Sequence, residues 1–429
     1  VFGKRDLDRS MPGGEIDEFH IFNNQLMPAE IKHLHQRLPF SPKGTKQVYD
    51  SSVLMLTRKS IADLYDSTKE VMVMGDLPKP RKTFLLERGV YDKYGVEVNP
   101  GTPAAIFSYD TKLPKNRLGL AKWLFDPKHP LTSRVAVNRI WQLIFGKGLV
   151  NSSDDFGNQG ALPTHPELLD HLAVWYRDNS WDTKALMKYI FMSATYKQSA
   201  ATTAATKSLD PTNTWLTRSP RYRYPAEMLR DNALQIAGLL SDKVGGPSVY
   251  PYQPAGLWEE LSDKGWRYQY ILSTGDDLYR KSIYTIRKRT SVVPFLHIFD
   301  APDRSVCTVK RQVSSSPMQS LALLNDPQFV EAARFVAARM MKEGGATPET
   351  RIRYGFRLIT GRHPSPKEQQ SALTLYREEE AAYRNEPAKR QSLLATGAGK
   401  VEGLDELQLT AFSNLALALM NTDAFLTRK

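Results

Sequence analysis

The sequence predicts a mainly α fold: a multi-helical globular domain with loop-rich wraps and a few short strands. Three observations carry this expectation. From residue 116 onward, apolar residues recur at helical spacing. The helical stretches open on capping residues or on proline in a first turn, and several stop at glycine. Turn-forming residues are concentrated in 76–115 and 242–275, which marks wraps around a helical body. No repeat of fixed period is present.

The elements follow in order. Residues 13–22 (GGEIDEFHIF) leave a Gly-Gly turn with a loosely strand-like alternation. Pro28 then stands in a first helical turn, with Ile31 and Leu34 on one face. Residues 38–49 read as a linker, and 50–75 as a helix ending in the apolar run VMVM. Thr83–Leu86 is a short strand within the wrap. Asn116–Asp126 and Ser133–Phe145 form a helix pair, with Ser133 as an N-cap and Gly146 as a stop. Thr164-His165-Pro166-Glu167 opens a third helix, carrying Leu168, Leu169, Leu172, Trp175 and Tyr176. Asp182 caps another that runs through Tyr196. After a loop over 200–224, Pro225–Leu240 is amphipathic, and Tyr279–Arg287 reads as a strand. Helices are expected near 316–325, 327–342, 348–360, 365–382 and 404–420.

Composition bounds the function. A chain of 429 residues can hold more than one domain and a substantial core. No apolar run reaches the roughly 20 residues that span a bilayer, so no membrane span is expected. One cysteine excludes an internal disulfide and any cysteine-rich metal site. The net charge of +12 favours an anionic partner, such as an anionic glycan, although dispersed basic residues also serve solubility. Runs of five or more Lys and Arg do not occur, so nucleic acid is not expected as a partner.

Candidate site residues gather in the stretch Asp300–Pro327. Asp300, Asp303, Arg304, Cys307, Lys310 and Arg311 crowd into about a dozen residues, and burying such groups is costly unless they pair. The cluster is either an internal ion-pair knot or a site. As an enzyme it would draw on Asp300, Asp303, Arg304 and Cys307 with Asp154 and Asp155. Asp154-Asp155 also reads as a turn before Gly157, and the DFG triplet there lacks every other kinase element. No metal site is expected: the histidines are scattered, and His165 and His171 stand six apart on one helix. His129 belongs to a loop facing the next helix.

As a binding surface, Arg134, Arg139, Arg304 and Arg311 would face an anionic ligand with aromatic residues near Trp258. Arg117, Arg134 and Arg139 equally suit an internal Arg–Asp lattice. Tyr250, Tyr252, Trp258, Trp266, Tyr268 and Tyr270 are either core or a platform for sugar rings.

Two resemblances add to this reading. Residues 14–35 resemble the closing strand and short helix of a LamG/concanavalin-like jelly roll, although one strand cannot make a sandwich. Over residues 70–429, phrases such as NRLGLAKWLFDPKHPLTSRVAVNRIWQLIFGKGLV, RYRYPAEMLRDNAL and DAPDRSVCTVKRQVSSSPMQSLALLNDPQFVEAAR resemble the PSD domain, a C-terminal domain of unknown function in planctomycete-type cytochrome c proteins. Where Ser314–Ser320 stands, relatives commonly carry TNTP-x-QAL. The resemblance implies three segments: a LamG-like tail over 1–37, a linker and extended wrap over 38–115, and the helical domain over 116–429. It also implies export to the periplasm or the cell exterior, as part of a larger cell-envelope protein. A c-type haem would then lie in an N-terminal region, because this chain has no CxxCH. The family supplies no catalytic residues. Its genomic company points to breakdown of complex, often sulfated, polysaccharide. The expected function is engagement of anionic polysaccharide. A hydrolase-like site around Asp300–Arg311, or a structural or electron-transfer role beside a haem domain, are the alternatives.

Overall fold

The computed structural model describes residues 79–258, 260 and 270–428, together with 71–77 and, before them, 56, 57, 59–61, 63 and 64. The jelly-roll tail over 1–37 and the linker over 38–49 lie outside the described residues. The chain divides into two compact units, 1–99 and 100–429. In the first, β1 (Thr83–Leu86) pairs antiparallel with β2 (Tyr94–Val98), in register Thr83 with Val98 and Leu86 with Tyr94. The VMVM run does not end a helix; residues 71–74 are exposed and irregular.

The second unit is mainly α. It begins with α1 (Arg117–Leu124), whose first turn is capped by Asn116 accepting from the Gly119 amide at 3.1 Å. The next helix, α2 (Thr132–Phe145), ends at Gly146, whose φ of +79° suits a residue without Cβ. Its start corrects the expectation for Ser133. The acceptor is His129, whose Nδ1 takes the amides of Leu131 and Thr132, each at 3.3 Å. The imidazole is packed edge-on against Trp123 at 4.5 Å. Next come α3 (Pro166–Asp178) and α4 (Thr183–Met192), which Asp182 caps through the Ala185 amide at 2.9 Å. That helix stops at Ser193, which turns extended and caps the short α5 (Ala194–Lys197). Helices α2, α3 and α4 bury Val137, Trp141, Leu172, Leu186 and Ile190 in a first hydrophobic cluster.

His129 makes a pH prediction. Burial holds its pKa below the ordinary 6.5, outweighing the attraction of Asp126, so the fold favours the neutral ring that can accept the two amides. A depressed folded pKa contributes stability above pH 6.5 that is lost as pH falls toward the folded value. The melting temperature is expected to drop between pH 7.5 and 5. A His129→Asn variant, which caps without titrating, should lose part of that slope.

A larger cluster fills the rest of the unit. After α6 (Ala204–Leu209), the two-residue strand β3 (Tyr222–Arg223) leads into α7 (Ala226–Ala237) and, much later, α8 (Pro294–Ile298). Then come α9 (Pro317–Asn325), α10 (Pro327–Glu343), α11 (Pro348–Thr360), α12 (Pro366–Arg384) and α13 (Pro387–Leu394), each with proline in its first turn. The chain closes with α14 (Glu406–Met420), α15 (Asp423–Leu426) and β4 (Thr427–Arg428). Helix α10 is the axis: it packs on α7, α11 and α14, and Phe329, Ala333, Val336, Ala337 and Met340 are fully enclosed. The two clusters are stapled where β4 pairs with β3, Tyr222 opposite Arg428. From there Arg428 Nη1 reaches the Ile144 carbonyl at 2.6 Å, and its guanidinium lies 4.2 Å over the Tyr196 ring.

Tyr279–Arg287 is not a strand. It holds two short 3₁₀ turns and only isolated bridges, Ser241 with Arg280 and Val249 with Thr285. The carbonyls of Leu278 and Arg280 are bonded instead by the guanidinium of Arg230, at 2.9 and 2.6 Å. Among the described residues no helix is long and apolar enough to cross a membrane.

Candidate functional site

The segment after α8 turns sharply, because Asp300 and Arg304 both adopt positive φ, +60° and +68°. For residues with a side chain that conformation is strained and needs compensation. At Asp300 the compensation is visible. Its carboxylate accepts from the Ser314 amide at 2.8 Å, from the Ser314 hydroxyl and from Arg223, whose side-chain exposure is small. Gln319 Nε2 bonds the same hydroxyl at 3.1 Å and the Ile298 carbonyl at 3.0 Å. Burial pushes the Asp300 carboxyl up, but these donors outweigh it and hold the group below the usual carboxylate range. Asp300 therefore ties two ends of a loop together.

Eleven residues on, Arg311 is directed to a different acid. Both of its terminal nitrogens reach Glu227 on α7, at 2.6 and 3.2 Å, in a fork-on-carboxylate geometry. Arg287 Nη2 joins the same carboxylate at 3.0 Å. Burial alone would raise the Glu227 carboxyl; Arg311 and then Arg287 bring it below its ordinary value. Arg287 Nη1 is buried with no hydrogen-bond partner among the described residues. Its guanidinium is held below the usual arginine range first by burial and, against the pull of Glu227, by the like charges of Arg304 and Arg311. Arg304 itself is exposed and has no hydrogen bond or ion pair among the described residues. Two guanidinium groups thus share one carboxylate, and the charge of Arg304 is felt at Arg287. Glu227 and Arg287 were not singled out from the sequence: they lie 84 and 24 positions from Arg311, and only the docking of α7 joins them.

The other candidate residues separate. Asp303 caps its own turn, accepting from the Ser305 amide at 2.9 Å and hydroxyl at 2.8 Å. Cys307 is an exposed free thiol. Asp155 accepts from the Gly157 amide at 2.7 Å in the turn beyond α2, and Asp154 is exposed there. Among the described residues, no hydrogen bond or ion pair links this acidic turn to Asp300–Arg311. Arg134 pairs with Asp170 on α3 at 2.6 Å, while Arg139 is exposed on α2.

Trp258 is 8% exposed. Tyr250 and Tyr270 meet it edge-on at 5.9 and 5.1 Å, and the Lys288 ammonium covers its face at 4.5 Å. That geometry fills an interior and leaves little of the ring for a sugar. Trp266 and Tyr268 lie outside the described residues. No group of three or more His, Cys, Asp or Glu side chains is arranged to hold a metal ion among the described residues.

Comparison with known proteins gives one match. The profile of a family described as a protein of unknown function (DUF1553), PSD1, covers residues 116–376. No curated protein and no solved structure matches the chain.

Proposed function

Since this chain belongs to the PSD1 family of proteins of unknown function, and the matched residues contain Glu227, Arg287, Arg304 and Arg311, we propose that it is a binding module for anionic polysaccharide. The carrying observation is the excess of guanidinium over carboxylate at Glu227. Two arginines share its single charge, and Arg287 keeps a buried N–H without a partner. A sulfate ester or uronic carboxylate arriving beside exposed Arg304 would supply the negative charge that the cluster lacks. The role of Trp258 in this reading is structural, since its face is already covered by Lys288.

Binding is favoured over hydrolysis by the state of the acids. Asp300 and Glu227 both sit below their ordinary pKa and are fully engaged by arginine and serine donors. A general acid near neutral pH needs the opposite shift. A place in the periplasm or outside the cell, within a larger envelope protein, accords with the resemblance carried by the sequence and with a polysaccharide ligand.

The test is binding of a sulfated polysaccharide, a polyuronate and neutral dextran across a salt series. Both anionic polymers should bind, more weakly as salt rises, and dextran should not. Arg304→Ala, at an exposed position, should weaken the anionic polymers roughly two- to fivefold. Arg287→Met should weaken them more. Equal retention of dextran, or no response to salt, would remove the proposal.

A further inference from the structure

A cavity of the helical unit lies away from the arginine cluster, and none of the sequence arguments reaches it. It encloses about 570 Å³ between the C-terminal end of α2, residues 161–164 and the loops 200–202 and 212–222. That volume is within the range of small-molecule sites, and one or two sugar rings fill it. Its walls are Trp141, Phe145, Leu149 and Tyr222, overlaid by hydroxyl and amide groups. Three cationic side chains, Lys147, Arg218 and Arg221, line it, and no carboxylate does.

The far wall is a built structure. Asp210, 3% exposed, accepts from the amides of Thr214 at 2.7 Å and Trp215 at 2.9 Å. Arg218 donates back to the carbonyls of Asp210 at 2.9 Å and Pro211 at 3.1 Å. The loop so held keeps Asn213 and Leu216 at positive φ, +54° each. A leucine in that region is strained, and such strain persists only where surroundings over-determine the backbone. Trp215 presents its indole at 63% exposure beside the lining residues Thr214 and Leu216.

The lining groups divide into spent and free. Arg218 is used on carbonyls, Arg221 pairs with Asp423, and the Tyr222 hydroxyl caps Leu143 and Ile144 at 3.1 and 3.0 Å. Ser219 is different: only 3% exposed, it lines the cavity, and its hydroxyl has no hydrogen bond among the described residues. Lys147 has no ion-pair partner among them either. The C-terminal carbonyls of α2 work against an anion here. Tyr222 and Arg428 quench part of that field by bonding the last carbonyls.

We propose that this cavity is a second ligand site, taking a single uronic-acid unit, with Lys147 reading the carboxylate and Ser219 a ring hydroxyl. It goes beyond the arginine cluster and does not depend on it.

Calorimetric titration of the full chain with D-glucuronate and D-glucose tests the assignment. Glucuronate should bind saturably and at least tenfold more tightly than glucose. Lys147→Met, at an exposed position, should reduce glucuronate to the glucose level, and Ser219→Ala should weaken it several-fold. Arg287→Met should leave glucuronate binding unchanged while weakening the polymers. Absence of saturable glucuronate binding, indifference to Lys147→Met, or loss through Arg287→Met would each overturn the site. The last outcome would assign the monosaccharide to the arginine cluster instead.

Discussion

Glu331→Ala is expected to destabilise the helical unit by about 3–5 kcal/mol, the range for removing one partner from a buried charged network. Glu331 is fully buried on α10. Its carboxylate accepts from the hydroxyls of Tyr279 at 2.8 Å and Tyr252 at 3.0 Å and from the Gly399 amide at 2.5 Å. One turn on, Arg334 lies 3.9 Å from it and donates to the carbonyls of Leu394, Thr396 and Gly399, each at 2.6 Å. Alanine would remove the charge beside that guanidinium in the interior and leave two partly buried hydroxyls without their acceptor. The loop over 395–399 can approach so closely only as glycine: a Cβ on Gly397 would meet the Glu331 carboxyl carbon at 2.5 Å, and its φ is +86°. Burial first, and then the Glu331 charge, raise the Tyr252 hydroxyl to about 12, so it stays a donor at neutral pH. Urea unfolding followed by far-ultraviolet circular dichroism measures the loss. A change under 1 kcal/mol would mean that the network contributes no net stability.

Arg230→Met should be comparably damaging, about 3–5 kcal/mol. Arg230 on α7 is 1% exposed, and burial pulls its pKa down to about 10, which still leaves it charged at neutral pH. Its Nε bonds Gln328 at 2.6 Å, and its terminal nitrogens take the carbonyls of Leu278 and Arg280 and the Ser282 hydroxyl. Methionine keeps most of the volume but returns none of those bonds, so four acceptors lose a donor at once. The same measurement applies, with a second readout: proteolysis should open first within 270–284, because that segment has no strand ladder to hold it. Unchanged protease resistance there would show that the guanidinium is not what fastens the segment.

The helices were legible from the chain because their signals are local. Proline in the first turn marks α9 to α12, and Asn116, Asp182 and Gly146 act at the ends of their helices. Helix α13 escaped notice because its eight residues bury no side chain fully and so carry little periodicity. Ser133 misled because the helix begins one residue earlier, at Thr132, where the His129 imidazole accepts the Leu131 and Thr132 amides, and only the packing of Trp123 on His129 reveals it.

The candidate site was legible only in part. Asp300, Arg304 and Arg311 announced themselves as a dense charged run, but density along the chain does not say which charge meets which. Asp300 turned to Arg223, and Arg311 to Glu227. The cavity beside Lys147 gave no signal at all, since its lining residues are ordinary types spread over some eighty positions.

What the sequence by itself determined is the class of the fold, the order of its helices and the family, since caps, periodicity and phrase-level similarity are properties of neighbouring residues. What only the tertiary structure decided is the fate of each charge. A guanidinium bonds whichever carbonyl or carboxylate the packing brings within about 3 Å. In this protein those partners usually lie dozens of positions away, on loops whose paths are fixed by the arginines themselves.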